Sequence, residues 1–289
     1  MDYATDRPYI LTASCESRMG TTAAVATFLA QRRFYIMDMH QFDDTISRRF
    51  FVRVKFCSVA GEPFDLARLR SEFVAVANAE GMEWAIHDCA RRPRVMILVS
   101  NFDHCLVDLL YRLRTGELPM EVPAIVSNHP TLKHIAEANN IPFHHLPVSA
   151  ETKAAQEARL VALIEQTQTE LIVLARYMQI LSDAICRKLH GRVINIHHSF
   201  LPGFVGAKPY HQAHNRGVKL IGATAHFVTP DLDEGPIIEQ VVERVDHSFT
   251  PEMLTAWGRD SERRALTTAV KLFLEHRILL NGERTVIFQ

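Results

Sequence analysis

The sequence predicts an α/β chain of two domains: a ferredoxin-like βαββαβ module over residues 1–89, then a doubly wound, mostly parallel, Rossmann-like domain over residues 90–289. Three observations predict it. Residues 49–56 alternate, with Phe50, Val52, Val54 and Phe56 on one face and Phe51, Arg53 and Lys55 on the other, as in a half-buried strand. Beyond Arg94 the strands change character: 95–99, 124–126, 171–174 and 193–196 are short, continuously apolar and separated by helical stretches, the pattern of a parallel sheet covered on both faces. Between the two regions lies Cys89-Ala-Arg-Arg-Pro93, polar and ending in a breaker.

In the first part, a strand over 9–14 leads into a helix over 20–31 and a strand over 34–42. Asp43-Asp44-Thr45 supplies turn chemistry before the alternating strand 49–56. The next helix carries Leu66, Leu69, Phe73 and Val76 at helical spacing, and Gly81 stops it before a last strand over 83–87. In the second part, 224–228 and 236–242 read as later strands, and Thr250-Pro251 provides an N-cap and a first-turn proline for a long helix. Parallel strands joined by right-handed crossovers bind ligands outside their carboxyl ends, which directs attention to the residues just after Leu174 and Ile194.

Composition narrows the class of partner. The 289 residues carry 33 acidic against 32 basic side chains, so no net field recruits nucleic acid or an anionic membrane, and a small molecule is the expected partner. Cys15, Cys57, Cys89, Cys105 and Cys186 are odd in number, scattered and without a C-x-x-C, as expected of reduced thiols. The first residues lack the basic region and apolar core of a signal peptide, and no apolar run is long enough to span a bilayer. A soluble cytoplasmic protein is expected.

The chemistry-bearing segment is Asn195-Ile-His197-His-Ser-Phe-Leu-Pro202, where an amide and an imidazole leave a buried strand on one side of it. Asp233, in Asp231-Leu-Asp233-Glu-Gly-Pro236, lies in a turn between two later strands that can fold back over the same strand end. Together they suit attack on a carbonyl: Asn195 donates to a developing oxyanion, His197 exchanges protons, and Asp233 positions water and tunes the imidazole. Taken singly each has a plainer role, since an Asn after a strand caps turns, a His is often a satisfied polar residue and an Asp before Gly-Pro shapes loops.

This region resembles the formyltetrahydrofolate-dependent formyltransferase and hydrolase family, whose signature is Asn-x-His followed by Ser-x-Leu-Pro and later an Asp in a Leu-Asp-x-Gly-Pro-like turn. The similarity is greater with the deformylase branch, across residues 195–212, Ile221-Gly-Ala-Thr-Ala-His226 and Asp233-Glu-Gly-Pro-Ile-Ile238. The resemblance implies hydrolysis of N10-formyltetrahydrofolate to formate and tetrahydrofolate, with Asn195, His197 and Asp233 as the catalytic triad and no metal or cofactor. It also implies that main-chain groups near Met178, Gln179 and Leu181, in Leu174-Ala-Arg-Tyr-Met-Gln-Ile-Leu181, hold the pterin ring, although these side chains also suit a core. Arg176 and Lys208 are among the basic residues available to the glutamate tail. The first domain resembles an ACT module, which implies a homo-oligomer and an amino-acid effector. Where family members often have Cys-Pro-Asp-x-x-Gly, this chain has Cys15-Glu-Ser17-Arg-Met-Gly20, without the Asp.

Other readings differ in what they need. A zinc hydrolase would draw on His197, His198, His211, His214 and His226, but their spacing is not that of H-E-x-x-H. Cys105 beside His104 reads as a small buried hydrophobe rather than a nucleophile. A non-catalytic amino-acid sensor leaves Asn195, His197 and Asp233 without a purpose. The main rival is a glycinamide ribonucleotide formyltransferase, which holds the phosphate of its second substrate in a Gly-rich loop after the first strand of the catalytic domain. Here that place reads Val99-Ser-Asn-Phe102-Asp103-His-Cys105, with no glycine and an added carboxylate.

Overall fold

The computed structural model describes residues 7–58, 64–201 and 209–289. The stretch 202–208, which carries part of the signature and Lys208, lies outside the described residues. The described residues up to Arg92, together with Glu275–Gln289, form one compact unit, and Pro93–Leu274 form a second.

The first unit runs β1 (Tyr9–Glu16), α1 (Thr21–Gln31), β2 (Phe34–Asp44), β3 (Arg49–Ser58), α2 (Leu66–Glu80) and β4 (Glu83–Asp88). Its four strands form an antiparallel sheet in the order β2-β3-β1-β4, the ferredoxin-like arrangement. Phe50, Val52, Val54 and Phe56 of β3 pack with Val25 and Leu29 of α1 and Phe73 of α2 in one apolar core. Asp65 caps α2 by accepting the Ala67 N–H at 2.8 Å, and Gly81 ends it at φ 63, a conformation that suits glycine.

The second face of β3 is also covered, contrary to the alternation read as one buried and one open face. Phe51 and Arg53 are 0% and 2% exposed. The cover is the C-terminal segment, which the sequence reading assigned to the second domain and which the structure places in the first. Phe51 packs with Val286, Phe288 and Leu279. Arg53 donates from Nε and Nη2 to the Glu275 carbonyl at 3.2 and 3.0 Å. Asp44, read as turn chemistry, is buried and accepts from Asn281 at 2.7 Å and Arg284 at 2.8 Å. Isolated apolar and charged residues in 275–289 gain partners only through chain closure over more than two hundred positions, so no local pattern announces them.

The second unit runs β5 (Val95–Val99), α3 (His104–Thr115), β6 (Ile125–Ser127), α4 (Lys133–Ala138), β7 (Phe143–His145), α5 (Lys153–Gln166), β8 (Leu171–Leu174), α6 (Asp183–Lys188), β9 (Val193–His197), α7 (Pro209–Arg216), β10 (Leu220–Phe227), β11 (Ile237–Arg244) and α8 (Pro251–Leu274). The last hairpin, β12 (Ile278–Asn281) and β13 (Arg284–Ile287), belongs to the C-terminal segment described above. The seven strands of the second unit form one sheet in the order β11-β10-β9-β8-β5-β6-β7. From β9 to β7 every pairing is parallel, and every residue of β5 and β8 is buried, as continuously apolar strands require. β10 and β11 extend the sheet antiparallel. β8 and β9 pair Leu174 with Asn195, so the segments leaving both strands begin at the same level.

Truncation after Leu274 is expected to lower the melting temperature of the first unit and expose it to protease, and Phe288→Ala alone is expected to cost about 3 kcal/mol. Thermal melts and limited proteolysis check this. A truncated chain that melts like the full one would show that β12 and β13 are dispensable.

Candidate active site

Beyond the carboxyl ends of β8 and β9 opens a cavity of about 370 Å³. All six residues assigned roles in the sequence reading line it: Asn195, His197 and Asp233, with Met178, Gln179 and Leu181 opposite in sequence. β9 puts Asn195 and His197 on one side of the strand by its two-residue period. The turn after β10 supplies Asp233 with φ 58, a left-handed conformation unusual for a residue other than glycine. Arg176, which also lines the cavity, has φ 64. Two such residues in one cavity wall mark strain that the surrounding packing must hold.

Packing around the turn explains how Asp233 is held. Phe227 N–H donates to the Pro236 carbonyl at 2.9 Å, closing the turn onto the end of β10. A Cβ on Gly235 would stand 1.8 Å from the Phe227 carbonyl oxygen, so only glycine permits this approach. The segment after β9 is tied down in the same way. Buried Thr224 of β10 donates to the Ser199 carbonyl at 3.0 Å and accepts from the Leu201 N–H at 3.1 Å.

His197 Nδ1 lies 3.2 Å from Asp233 Oδ2, and as donor there it leaves Nε2 as the basic ring atom. That Nε2 is buried and has no hydrogen-bond partner among the described residues. The bond from His197 holds the Asp233 carboxyl well below the usual carboxylate range against the opposing effect of burial.

His226 is the residue whose position in the site the sequence did not reveal. It pairs directly with Asn195 across β9 and β10, and it is 2% exposed. Its Nδ1 lies 2.9 Å from the Phe227 carbonyl, which accepts only, so Nδ1 carries the proton and Nε2 accepts. Asn195 Nδ2 faces that Nε2 at 3.3 Å. His226 thereby fixes which end of the Asn195 amide is the nitrogen and leaves its second N–H for a ligand. In the sequence it appeared only at the end of the Ile221–His226 segment and among the histidines of the zinc reading, with no role assigned beside Asn195. A register shift in the β10–β11 pairing falls between Ala225 and His226.

A second polar cluster adjoins the cavity. Glu262 of α8, 1% exposed, accepts from Tyr210 at 3.0 Å and His104 at 2.8 Å, and its Oε2 lies 3.4 Å from Arg176 Nε. Burial pushes the Glu262 carboxyl up, but the His104 bond and the Arg176 charge outweigh it and hold the group below its ordinary value. Arg176 also lies over the Phe102 ring, 5.1 Å from its centroid. Burial, then the charge of Arg176, lowers His198 to about 4, so this imidazole is neutral near neutral pH. Among the described residues, the three metal-ligand types found within reach of one another are His104, Cys105 and Glu262, not the histidine set noted in the sequence. Burial pushes the Cys105 thiol far up, in keeping with a buried hydrophobe.

Residues 93–270 match the formyl transferase family. A formyltetrahydrofolate deformylase of Corynebacterium sp. (strain P-1) is 49% identical over 97% of this chain and 98% of its own length. The crystal structure of a formyltetrahydrofolate deformylase from Burkholderia mallei superposes with a TM-score of 0.94 at 55% identity, covering 98% of this chain and 100% of that one. A glycinamide ribonucleotide transformylase from Symbiobacterium toebii gives a TM-score of 0.65 at 31% identity, covering 68% of this chain and 95% of its own.

Gly235→Ala is expected to displace Asp233 and remove most activity, since a misplacement near 1 Å costs about a hundred-fold in rate. His226→Ala is expected to lower kcat between about tenfold and a hundred-fold by freeing the Asn195 amide. Steady-state kinetics on folded variants check both, and a His226→Ala enzyme with full kcat would remove this imidazole from the site.

Proposed function

The chain belongs to the formyl transferase family and, within it, to the formyltetrahydrofolate deformylases, and from that premise we propose that Asn195, His197 and Asp233 use water to remove the formyl group of N10-formyltetrahydrofolate. The products are formate and tetrahydrofolate. The observation that carries the triad is the His197–Asp233 pair beside an unpartnered, buried Nε2. Water adds to the formyl carbon while His197 Nε2 takes its proton, and the carbonyl electron pair moves to oxygen. Asp233 stabilises the imidazolium through Nδ1, and the free N–H of Asn195 donates to the oxyanion. Collapse breaks the C–N10 bond, and the proton held by His197 passes to N10.

The pterin ring is assigned to the stretch from Met178 to Leu181. The Met178 N–H is already donated to Ser100 Oγ at 3.0 Å, and Ser100 donates to Asn128 at 2.6 Å. That chain of bonds stiffens the stretch and gives the pterin the Met178 carbonyl rather than its N–H. For a second substrate with a phosphate, the turn from β5 to α3 offers bulky Phe102 and the carboxylate of Asp103, which stands at the N-cap of α3. Water is therefore the acceptor, and glycinamide ribonucleotide transfer is the lesser reading.

The ferredoxin-like unit is assigned to assembly with further copies of the chain, supported by Tyr35, Met37 and Phe42, which stand 42%, 39% and 46% exposed on the edge strand β2. An amino-acid effector there has weaker support, because Ser17 stands where the resemblance would place Asp. Among the described residues no helix is long and apolar enough to cross a membrane, and none of the five cysteines is in a disulfide; we place the reaction in the cytoplasm.

Asn195→Ala is expected to lower kcat by about a hundred-fold or more with folate affinity nearly unchanged. Asp233 is held low, so its charge is fully present above the ordinary carboxylate value near pH 4 and is lost only as pH falls below it. Asp233→Asn is therefore expected to depress activity at every pH from about 5 upward. Formate release measured without acceptor tests the assignment. Formylated glycinamide ribonucleotide in place of formate, when that acceptor is supplied, would overturn it.

A further inference from the structure

We propose that Arg176, fixed by Glu262, is the specificity-determining residue that rejects amines as formyl acceptors. The inference rests on the deformylase reading of the same cavity and adds to it the reason that water alone reacts.

Arg176 belongs to a site built to hold it. Gly258 of α8 lets the Tyr210 ring approach so closely that a Cβ would stand 2.0 Å from its Cζ. Tyr210 can then donate to Glu262 Oε1, while Oε2 accepts from His104 and faces Arg176. The Arg176 side chain is 10% exposed, its Nε is buried without a hydrogen bond, and its backbone is left-handed. Placing a large cation under backbone strain in the wall of a reaction cavity costs stability, and the catalytic steps assigned to Asn195, His197 and Asp233 leave it without a role. It nevertheless lines the same cavity as Asn195, His197 and Asp233.

A fixed cation discriminates between nucleophiles by their charge. Water gives up its proton to His197 as the C–O bond forms, so no positive charge develops on the nucleophile. A primary amine forms its C–N bond with the lone pair, and the carbonyl pair moves to oxygen. The nitrogen carries a positive charge until it loses a proton. Only then does collapse expel N10, with a proton, to give a formamide and tetrahydrofolate. The free amine is also largely an ammonium ion near neutrality. Arg176 opposes both the arrival of that ion and the cationic nitrogen of the intermediate, and it does so at every working pH because a guanidinium does not titrate there. The developing oxyanion and the formate product carry the sign that it favours.

The test supplies the full-length enzyme with N10-formyltetrahydrofolate and excess glycinamide, and quantifies N-formylglycinamide against formate. The wild-type protein and Arg176→Lys are expected to give formate almost alone. Arg176→Met, which keeps an apolar stem, and Arg176→Gly, which suits the left-handed backbone, are expected to raise the ratio of formamide to formate by about tenfold or more. Circular dichroism identifies the folded variants, and either neutral substitution suffices. An unchanged ratio in a folded neutral variant, or a ratio in Arg176→Lys as high as in Arg176→Met, overturns the inference. Absence of formate from the wild-type enzyme without amine would instead defeat the deformylase reading on which it rests.

Discussion

The site depends on the antiparallel pairing of β10 with β9 at one end of an otherwise parallel sheet. That register sets His226 opposite Asn195 and Thr224 opposite His197. A slip of one residue would turn Asn195 and His197 to the other face of the sheet and take His226 away from Asn195. The same strand ends at Phe227, whose main chain closes the Asp233 turn and whose carbonyl fixes the His226 ring. One strand thus orients three elements of the site through its main chain, which side-chain packing alone does not specify as sharply.

From that register the proton positions follow in sequence. The Phe227 carbonyl has no proton to give, so His226 carries its own on Nδ1 and accepts at Nε2. An accepting Nε2 requires the nitrogen of the Asn195 amide to face it. In the proposed mechanism the result is a donor oriented in advance toward the developing oxyanion. The other imidazole is set in the opposite sense. Asp233 takes the proton of His197 Nδ1, and the unpartnered Nε2 becomes the atom able to accept one from water.

Much of this organisation was legible because it rests on local period and composition. The alternation of Phe50 through Phe56, the apolar runs of β5 and β8, and the turn residues at Gly81 and Gly235 all act within a few residues of where they stand. Asn195, His197 and Asp233 were legible as a pattern of chemical types, and the sheet brings them to one cavity. What was not legible depends on distant partners. Asp44 looks like a turn residue until Asn281 and Arg284 meet it, and Phe51 looks outward until Phe288 covers it. Glu262 reads as one more solvated charge on a long helix, yet it is buried, because Gly258 lets Tyr210 in beside it.

The second unit holds two low-exposure carboxylates around one cavity, and their partners divide their roles. A buried carboxylate without compensation is costly, so each must be paired. Asp233 is paired with His197, a group whose charge changes as protons move in the proposed mechanism. Glu262 is paired with the His104 ring, with Arg176, whose charge does not change, and with Tyr210, whose hydroxyl burial keeps protonated. His198 is held neutral by burial and by Arg176, so in the proposed mechanism it does not compete for the proton assigned to His197. In the proposed mechanism the mobile proton is confined to the ring that Asp233 orients, and Arg176 is the charge proposed to favour an oxyanion over a cationic nucleophile.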